Sequence, residues 1–165
     1  MELALLVGLP AAGKTSFYRA RLAATHAHVS KDTIAASNKD RRQRELVDAR
    51  LRAGQSVAVD NTNPRRSDRA PLLALGRERC ARLVGYYFPT TPKACLERNR
   101  TREGKARVPA VAVFKAAKVL EPPTLDEGWD ALFTVTLEPP ADFRVSPGTP
   151  DAPLAESRTA EDPAS

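Results

Sequence analysis

Two glycines, a lysine and a threonine near the start of the chain have the spacing of a phosphate-binding loop. Gly8 and Gly13 are separated by four residues, and Lys14 and Thr15 follow directly. Backbone N–H groups of such a loop converge on a polyphosphate, the lysine reaches the β- and γ-phosphates, and the threonine hydroxyl binds Mg²⁺. The residues expected to hold the nucleotide are Gly8, Pro10, Ala11, Ala12, Gly13, Lys14, Thr15 and Ser16, with Thr15 as the metal ligand.

The segments on either side of this phosphate loop (residues 8–15) fit the context that it requires, a buried strand before it and a helix after it. Residues 3–7 form a short apolar run, which is typical of a strand covered on both faces. Apolar residues then recur at roughly helical spacing from Phe17 to Ala24. We therefore predict a helix that begins at Lys14 and points its positive end at the bound phosphates.

Asp32 follows the second predicted strand, residues 27–30, and is the best candidate for a general base. Phosphoryl transfer to a hydroxyl needs a carboxylate that orients the acceptor and accepts its proton. The position of Asp32 also suits a helix N-cap, because aspartate before a helical run is a favoured capping residue. Both roles are open at this point.

A second group of polar residues follows the predicted strand 57–59. Asp60 could contact Mg²⁺ through water, or it could anchor a substrate pocket together with Asn61 and Asn63. The same stretch is rich in turn-forming residues, so an Asx-turn at the end of the strand is a third interpretation. We take Asp32, Asp60, Asn61 and Asn63 as the candidate substrate-binding residues.

A basic segment near the middle of the chain has the composition of a lid. It contains Arg98, Arg100, Arg102, Lys105 and Arg107. On a helix, Arg98 and Arg102 would project from one face, and the planar guanidinium group clamps phosphate oxygens through two hydrogen bonds. We expect these two arginines to contact the donor phosphates and to take part in catalysis. A solvated basic helix end is the alternative.

Strands alternate with helices along most of the chain, which predicts parallel βαβ units. The predicted strands are residues 3–7, 27–30, 57–59, 81–88 and 132–137, and the predicted helices are residues 14–24, 34–53, 67–79, 92–102 and 109–120. We therefore expect an α/β fold, a doubly wound five-stranded parallel sheet with helices on both faces and a helical basic lid. Ligands bind at the carboxyl ends of strands in such sheets, where the phosphate loop, Asp32 and Asp60 come together.

The composition changes after residue 138. Residues 139–165 contain six of the 14 prolines and few large apolar residues, so they bury little surface against their ordering entropy. We expect one domain, residues 1–138, followed by a disordered or extended tail, residues 139–165. Packing of Phe143 and Val145 against the domain is the exception that the sequence allows.

Charge and composition limit the partners. The net charge is +6, and residues 139–165 carry two arginines against five carboxylates, so about +9 falls on residues 1–138. A basic domain favours nucleotides and nucleic acid as partners. No apolar run approaches ~20 residues and no basic leader precedes the first strand, so neither a membrane span nor a secretory signal is expected. Cys80 and Cys95 lack metal-type spacing and indicate reduced thiols in a cytoplasmic protein.

Five stretches occur in the order and approximate spacing found in 5′-polynucleotide kinases, from residue 3 to about residue 137. They read GLPAAGKTS, HVSKDTI, VAVDNTNPRRSDR, ERNRTREGKARVP and EPPTLDEGWDAL. The chain resembles this P-loop kinase family, and most of all the kinase domain of polynucleotide kinase-phosphatase. The resemblance implies that Asp32 is the general base, that Lys14 and Thr15 serve ATP and Mg²⁺, and that Asp60–Asn63, Arg98 and Arg102 complete the site.

The sequence departs from this family at two positions. Lys31 precedes Asp32, where the family usually has arginine, and Ala35 replaces an arginine of the bacteriophage enzyme. No DxDxT phosphatase signature occurs in the chain. The expected function is transfer of the γ-phosphate of ATP to a 5′-hydroxyl of DNA or RNA. The alternatives are transfer to a small-molecule or nucleoside hydroxyl, and a nucleotide-binding switch with little turnover.

Overall fold

The computed structural model describes residues 1–148 and shows an α/β fold built on one six-stranded sheet. The strands are β1 (Glu2–Gly8), β2 (His26–Val29), β3 (Ser56–Asp60), β4 (Arg82–Phe88), β5 (Ala131–Glu138) and β6 (Asp142–Pro147). The helices are α1 (Lys14–Phe17), α2 (Lys39–Arg52), α3 (Arg66–Glu78), α4 (Pro92–Arg100) and α5 (Ala110–Val119). The strand order is β2-β3-β1-β4-β5-β6, and β6 alone runs antiparallel to its neighbour.

β1 lies at the centre of the sheet, and its alternate residues supply two apolar cores. Leu3 and Leu5 face α2 and α3, where they pack with residues such as Val47 and Leu72. The opposite face of the sheet packs against α1, α4 and α5, and its core includes Ala4, Leu6, Phe17, Cys95 and Val113. Helices therefore cover both faces, as the alternation of strands and helices predicted.

The predicted count of five strands is wrong, because residues 142–147 add the antiparallel strand β6 to the edge of the sheet. Phe143 is buried and packs edge-to-face on Phe17, with ring centroids 5.4 Å apart, while Val145 pairs with Val135 of β5. The sheet thus extends beyond residue 138, where the tail was expected to begin. The rest of the expected tail, residues 149–165, lies outside the described residues.

Two helices begin or continue differently from the prediction. A 3₁₀ turn (Lys31–Thr33) follows β2, and α2 starts only at Lys39, because the Asn38 side chain accepts a hydrogen bond from the Arg41 N–H at 3.0 Å and caps the helix there. The first helix is α-helical over four residues and continues as a π-helical turn (Tyr18–Leu22). These irregular segments all lie beside the carboxyl ends of the strands or next to β2.

Candidate active site

The phosphate loop joins β1 to α1, and its backbone makes both glycines necessary. A Cβ at Gly8 would lie 2.9 Å from the Phe88 Cβ, and Gly13 adopts a φ of 97°, a conformation that favours glycine. The Gly8 N–H donates to the Thr62 carbonyl at 3.1 Å, which ties the loop to the segment after β3. The loop is therefore held in shape before any ligand binds.

Lys14 is buried inside the curve of the phosphate loop. Its ammonium group donates to the carbonyls of Gly8 at 3.0 Å and Leu9 at 2.6 Å. The pKa of Lys14 is lowered from 10.5 to about 8, mainly because the group is buried. The nearby Arg102 acts in the same direction, and the carboxylates of Asp60 and Asp32 act in the opposite direction. A bound phosphate would place a negative charge next to this buried ammonium group, whose hydrogen-bond acceptors are otherwise neutral carbonyls.

Thr15, Asp60 and His28 form a hydrogen-bonded cluster beside Lys14. Asp60 Oδ2 accepts a hydrogen bond from the Thr15 hydroxyl at 2.6 Å and lies 3.0 Å from His28 Nε2. Burial acts to raise the pKa of Asp60, but the hydrogen bonds from His28 and Thr15 and the charge of Lys14 outweigh it and hold the pKa below its usual value. Asp60 is therefore an anion within reach of the threonine that would bind the metal.

The oxygen atoms of Thr15 and Asp60 fit a magnesium ion. Mg²⁺ prefers oxygen ligands and usually keeps several waters while it bridges substrate phosphates. The Thr15 hydroxyl gives its hydrogen to Asp60, so its oxygen lone pairs remain for a cation. No pattern in the sequence indicates the contact of His28 with Asp60. The pairing of β2 with β3, which brings the two residues together, became clear only with the fold.

In the loop after β3, the side-chain amides of Asn61 and Asn63 form hydrogen bonds within the protein. Asn61 accepts a hydrogen bond from the Lys31 N–H at 2.9 Å, and its amide also contacts Gln43. Asn63 is buried, has a φ of 43°, and donates to the Leu6 carbonyl at 2.7 Å. These contacts connect the ends of β1, β2 and β3. Substrate binding by Asn61 and Asn63 stays a prediction.

Arg69 of α3 also holds the loop after β3, and this arginine was not among the residues predicted for the site. Its side chain is fully buried and pairs with the equally buried Glu127 through two hydrogen bonds of 2.8 and 2.7 Å. The remaining guanidinium nitrogen donates to the carbonyls of Asn63, Pro64 and Glu121 at 2.9, 3.2 and 3.0 Å. The sequence contains one indication of a role for this pair: Arg69 lies in the VAVDNTNPRRSDR stretch and Glu127 lies in the EPPTLDEGWDAL stretch, both of which carry the resemblance to 5′-polynucleotide kinases.

Asp32 lies on the 3₁₀ turn after β2 and is exposed. Ser30 caps this turn by accepting from the Asp32 N–H at 3.3 Å, and Asn38 caps α2, so the capping role proposed for the Asp32 side chain is filled by other residues. A pocket of about 510 Å³ brings Asp32 together with the phosphate loop. Its lining includes Pro10, Ala11, Gly13, Lys14, Thr15, Lys31, Asp32, Asp60, Asn61, Thr62, Asn63, Pro64, Asp68, Arg102 and Val108.

The basic segment forms a loop rather than the predicted helical lid. α4 ends at Arg100, and the following residues contain only a 3₁₀ turn (Gly104–Ala106). Arg98 donates to the Ala12 carbonyl of the phosphate loop at 3.1 Å, and Arg102 lines the pocket. The two predicted arginines therefore flank the phosphate loop from different parts of the segment. We call residues 98–107 the lid segment.

Residues 3–123 match the protein family described as an AAA domain. The chain belongs to this AAA domain family. Within residues 1–148, no helix combines the length and the apolar character needed to cross a membrane, and no three histidine, cysteine or acidic residues cluster as metal ligands.

Solved structures with similar folds include several kinases. The chain is similar to a sugar kinase from Janibacter, with 18% identity and a TM-score of 0.61 over 81% of this chain and 85% of that one. A fungal RNA kinase matches with 14% identity and a TM-score of 0.61, over 83% of this chain and 38% of that one. Kti12 from Chaetomium thermophilum, in complex with ADP-AlF3, matches with 18% identity and a TM-score of 0.59, over 80% and 87%. These likenesses establish that this AAA domain protein has the α/β fold of P-loop kinases.

Proposed function

We propose that this AAA domain protein is an ATP-dependent kinase that transfers the γ-phosphate to a 5′-hydroxyl of DNA or RNA. One observation carries the proposal. The exposed carboxylate of Asp32 lines the same pocket as Lys14 and Thr15 of the phosphate loop. A carboxylate in that place has the acceptor hydroxyl within its reach while the loop holds the donor phosphates.

Each residue then has a task in an in-line transfer. Asp32 orients the acceptor hydroxyl and accepts its proton, while Lys14 and the backbone N–H groups of the loop hold the β- and γ-phosphates. Thr15, whose hydroxyl is oriented by Asp60, is the residue that would hold Mg²⁺, and the ion would neutralise negative charge on the phosphates. Arg102 lines this pocket and would add positive charge next to the oxygens over which negative charge spreads in the transition state.

The polynucleotide acceptor is supported by charge and by resemblance. Residues 1–138 carry about +9, which favours a polyanionic acceptor. The five stretches shared with 5′-polynucleotide kinases include the Asp32 turn, the Asp60 loop and the lid segment, and the RNA kinase has the same fold. The main alternative is a kinase of a small hydroxyl compound. The likeness to the sugar kinase, which covers most of both chains, favours that alternative.

Radiolabelled transfer from ATP tests the proposal and ranks the acceptors. The acceptors are 5′-hydroxyl DNA, 5′-hydroxyl RNA, nucleosides and sugars. Asp32→Asn keeps the shape of the side chain but removes its basicity, so we expect turnover to fall roughly 10²–10⁴-fold with ATP binding unchanged. Asp68→Asn is the matched control, because Asp68 also lines the pocket but its carboxylate caps α3 by accepting from the Arg65 N–H.

Three outcomes would count against the proposal. Transfer to sugars or nucleosides and not to oligonucleotides would favour the small-molecule alternative. ATP binding without transfer to any acceptor would favour a nucleotide-binding switch, in which Asp32 has no task. An Asp32→Asn enzyme within tenfold of the parent would remove the assignment of Asp32 as the base.

A further inference from the structure

The outer side of the lid segment forms a second groove next to the catalytic pocket. This groove, of about 500 Å³, is lined by Leu96, Asn99, Arg100, Gly104, Arg107, Val108, Pro109 and Ala110. Val108 also lines the catalytic pocket, so the two spaces adjoin at that residue. The buried Asn99 holds the base of the loop, since its amide contacts both backbone groups of Val108. We call this space the lid groove.

The lid groove carries positive charge that the rest of the protein does not neutralise. Arg100 and Arg107 line the groove, and Lys105 follows the lining residue Gly104 in the chain. All three are exposed, and no ion pair within residues 1–148 includes any of them. Glu103 is the one acidic residue between Arg100 and Arg107. Unpaired arginines and lysines at the mouth of a groove attract a chain of phosphates.

An exposed aromatic ring lies beside this charge. Phe114 of α5 is 50% exposed, and it stands four residues after Ala110, which lines the lid groove. Residues four apart share one face of a helix, so Phe114 lies one turn further along the groove-facing side of α5. Basic grooves with adjacent aromatic rings bind single-stranded nucleic acids, because phosphates contact the cations while bases stack on the rings.

Two adjoining pockets between α2 and α3, which we call the α2–α3 groove, differ from the lid groove in their charges. Three of their four basic side chains are paired with carboxylates, and Arg44 is the exception among the described ion pairs. Lys31 pairs with Asp40, Arg41 with Glu45 at 3.4 Å, and Arg79 with Asp48 at 2.6 Å. A phosphate backbone placed there would meet carboxylates, so the two sides of the pocket differ in what they can accept.

We infer that the lid groove binds the acceptor strand downstream of its 5′-hydroxyl, with Arg100, Lys105 and Arg107 on the phosphates and a base stacked on Phe114. This inference rests on the proposed function and defines the substrate class as a single-stranded nucleic acid of several nucleotides. The 5′-terminal nucleotide would occupy the catalytic pocket, and the following nucleotides would pass Val108 into the lid groove.

Binding of a 5′-hydroxyl 12-nucleotide single strand, labelled at its 3′ end and followed by fluorescence anisotropy, tests the inference without turnover. Loss of one stacked base weakens binding by roughly 5-fold to 150-fold, which we expect for Phe114→Ala. Arg100→Gln/Arg107→Gln removes two phosphate contacts, so the slope of log affinity against log salt should fall by about 1.4. The matched controls are Leu125→Ala, at another exposed apolar residue, and Arg41→Gln/Arg44→Gln in the α2–α3 groove.

Kinetics separate a failure of this inference from a failure of the proposed function. With the 12-nucleotide acceptor, both lid-groove variants should raise the acceptor KM and leave the ATP KM unchanged. A dinucleotide acceptor has one nucleotide beyond the one in the catalytic pocket, so Phe114→Ala should affect its KM less than that of the 12-nucleotide strand. Transfer to the 12-nucleotide strand with parental KM in both variants would overturn the inference and leave the function standing. Binding through Phe114 without transfer would overturn the function alone, and absence of binding by the parent would overturn both.

Discussion

Substitutions of the buried Arg69–Glu127 pair should show separately what the pair contributes to stability and what it contributes to the position of the loop after β3. Arg69→Met leaves Glu127 as a buried charge without a partner, which costs about 3–5 kcal/mol. For a domain of this size each kcal/mol lowers Tm by about 2–4 °C, so we expect a decrease of roughly 6–20 °C. Arg69→Met/Glu127→Leu removes both charges and should recover most of this loss, because apolar residues of similar volume often replace buried ion pairs well.

The double variant should nevertheless remain impaired in transfer. Arg69 is the donor to the carbonyls of Asn63 and Pro64, and the same loop holds the end of β1 through the Asn63 amide. Without those donors the loop that directly follows Asp60 is less well placed, and a displacement near 1 Å can cost about 10²-fold in rate. We expect kcat with the preferred acceptor to fall at least tenfold although Tm is largely restored.

Thermal melts and steady-state kinetics on the same preparations provide the assay. Arg66 and Asp126 form the matched control, because they join the same two segments by a 2.7 Å ion pair that is exposed to solvent. Arg66→Met should change Tm and kcat little, since exposed pairs contribute little to stability. A double variant with both parental Tm and parental kcat would refute the positioning role. A single Arg69→Met variant with parental Tm would refute the reasoning from burial.

Three further predictions concern the phosphate loop and the last strand. Because the pKa of Lys14 is lowered, the unfolded chain binds more protons than the folded protein between pH 8 and 10.5. The unfolding free energy of the ligand-free protein should therefore rise with pH in this range, relative to that of Lys14→Met. Denaturant titrations in which the two proteins show parallel pH dependence would contradict this. Phe143→Ala should cost about 3 kcal/mol and roughly 6–12 °C in Tm, whereas an unchanged melt would show that β6 contributes nothing to the core. Gly8→Ala brings a Cβ within 2.9 Å of the Phe88 Cβ, so both Tm and ATP affinity should fall, and titration of ATP against the purified variant would reveal any tolerance.

The local sequence was sufficient to predict features whose residues are neighbours in the chain. The phosphate loop could be located because the buried strand, the glycines and the Lys-Thr pair are contiguous. The place of Asp32 beside that loop follows from its position just after β2, while its role as the base stays a prediction. β6 was missed because its proline-rich surroundings indicated a tail, while its stability comes from pairing with β5 and from the Phe143–Phe17 contact. Arg69 and Glu127 are separated by 58 residues, and no local pattern reveals that a given arginine will be buried beside a given glutamate.

The direction of β1 decides where a polypeptide added at Met1 would leave the domain. β1 starts at Glu2 and reaches the phosphate loop at its far end, so Met1 lies at the opposite end of the strand. An affinity tag or a surface tether attached at Met1 would therefore start on the side remote from the nucleotide. Such a tether would immobilise the protein with its catalytic pocket facing the solution.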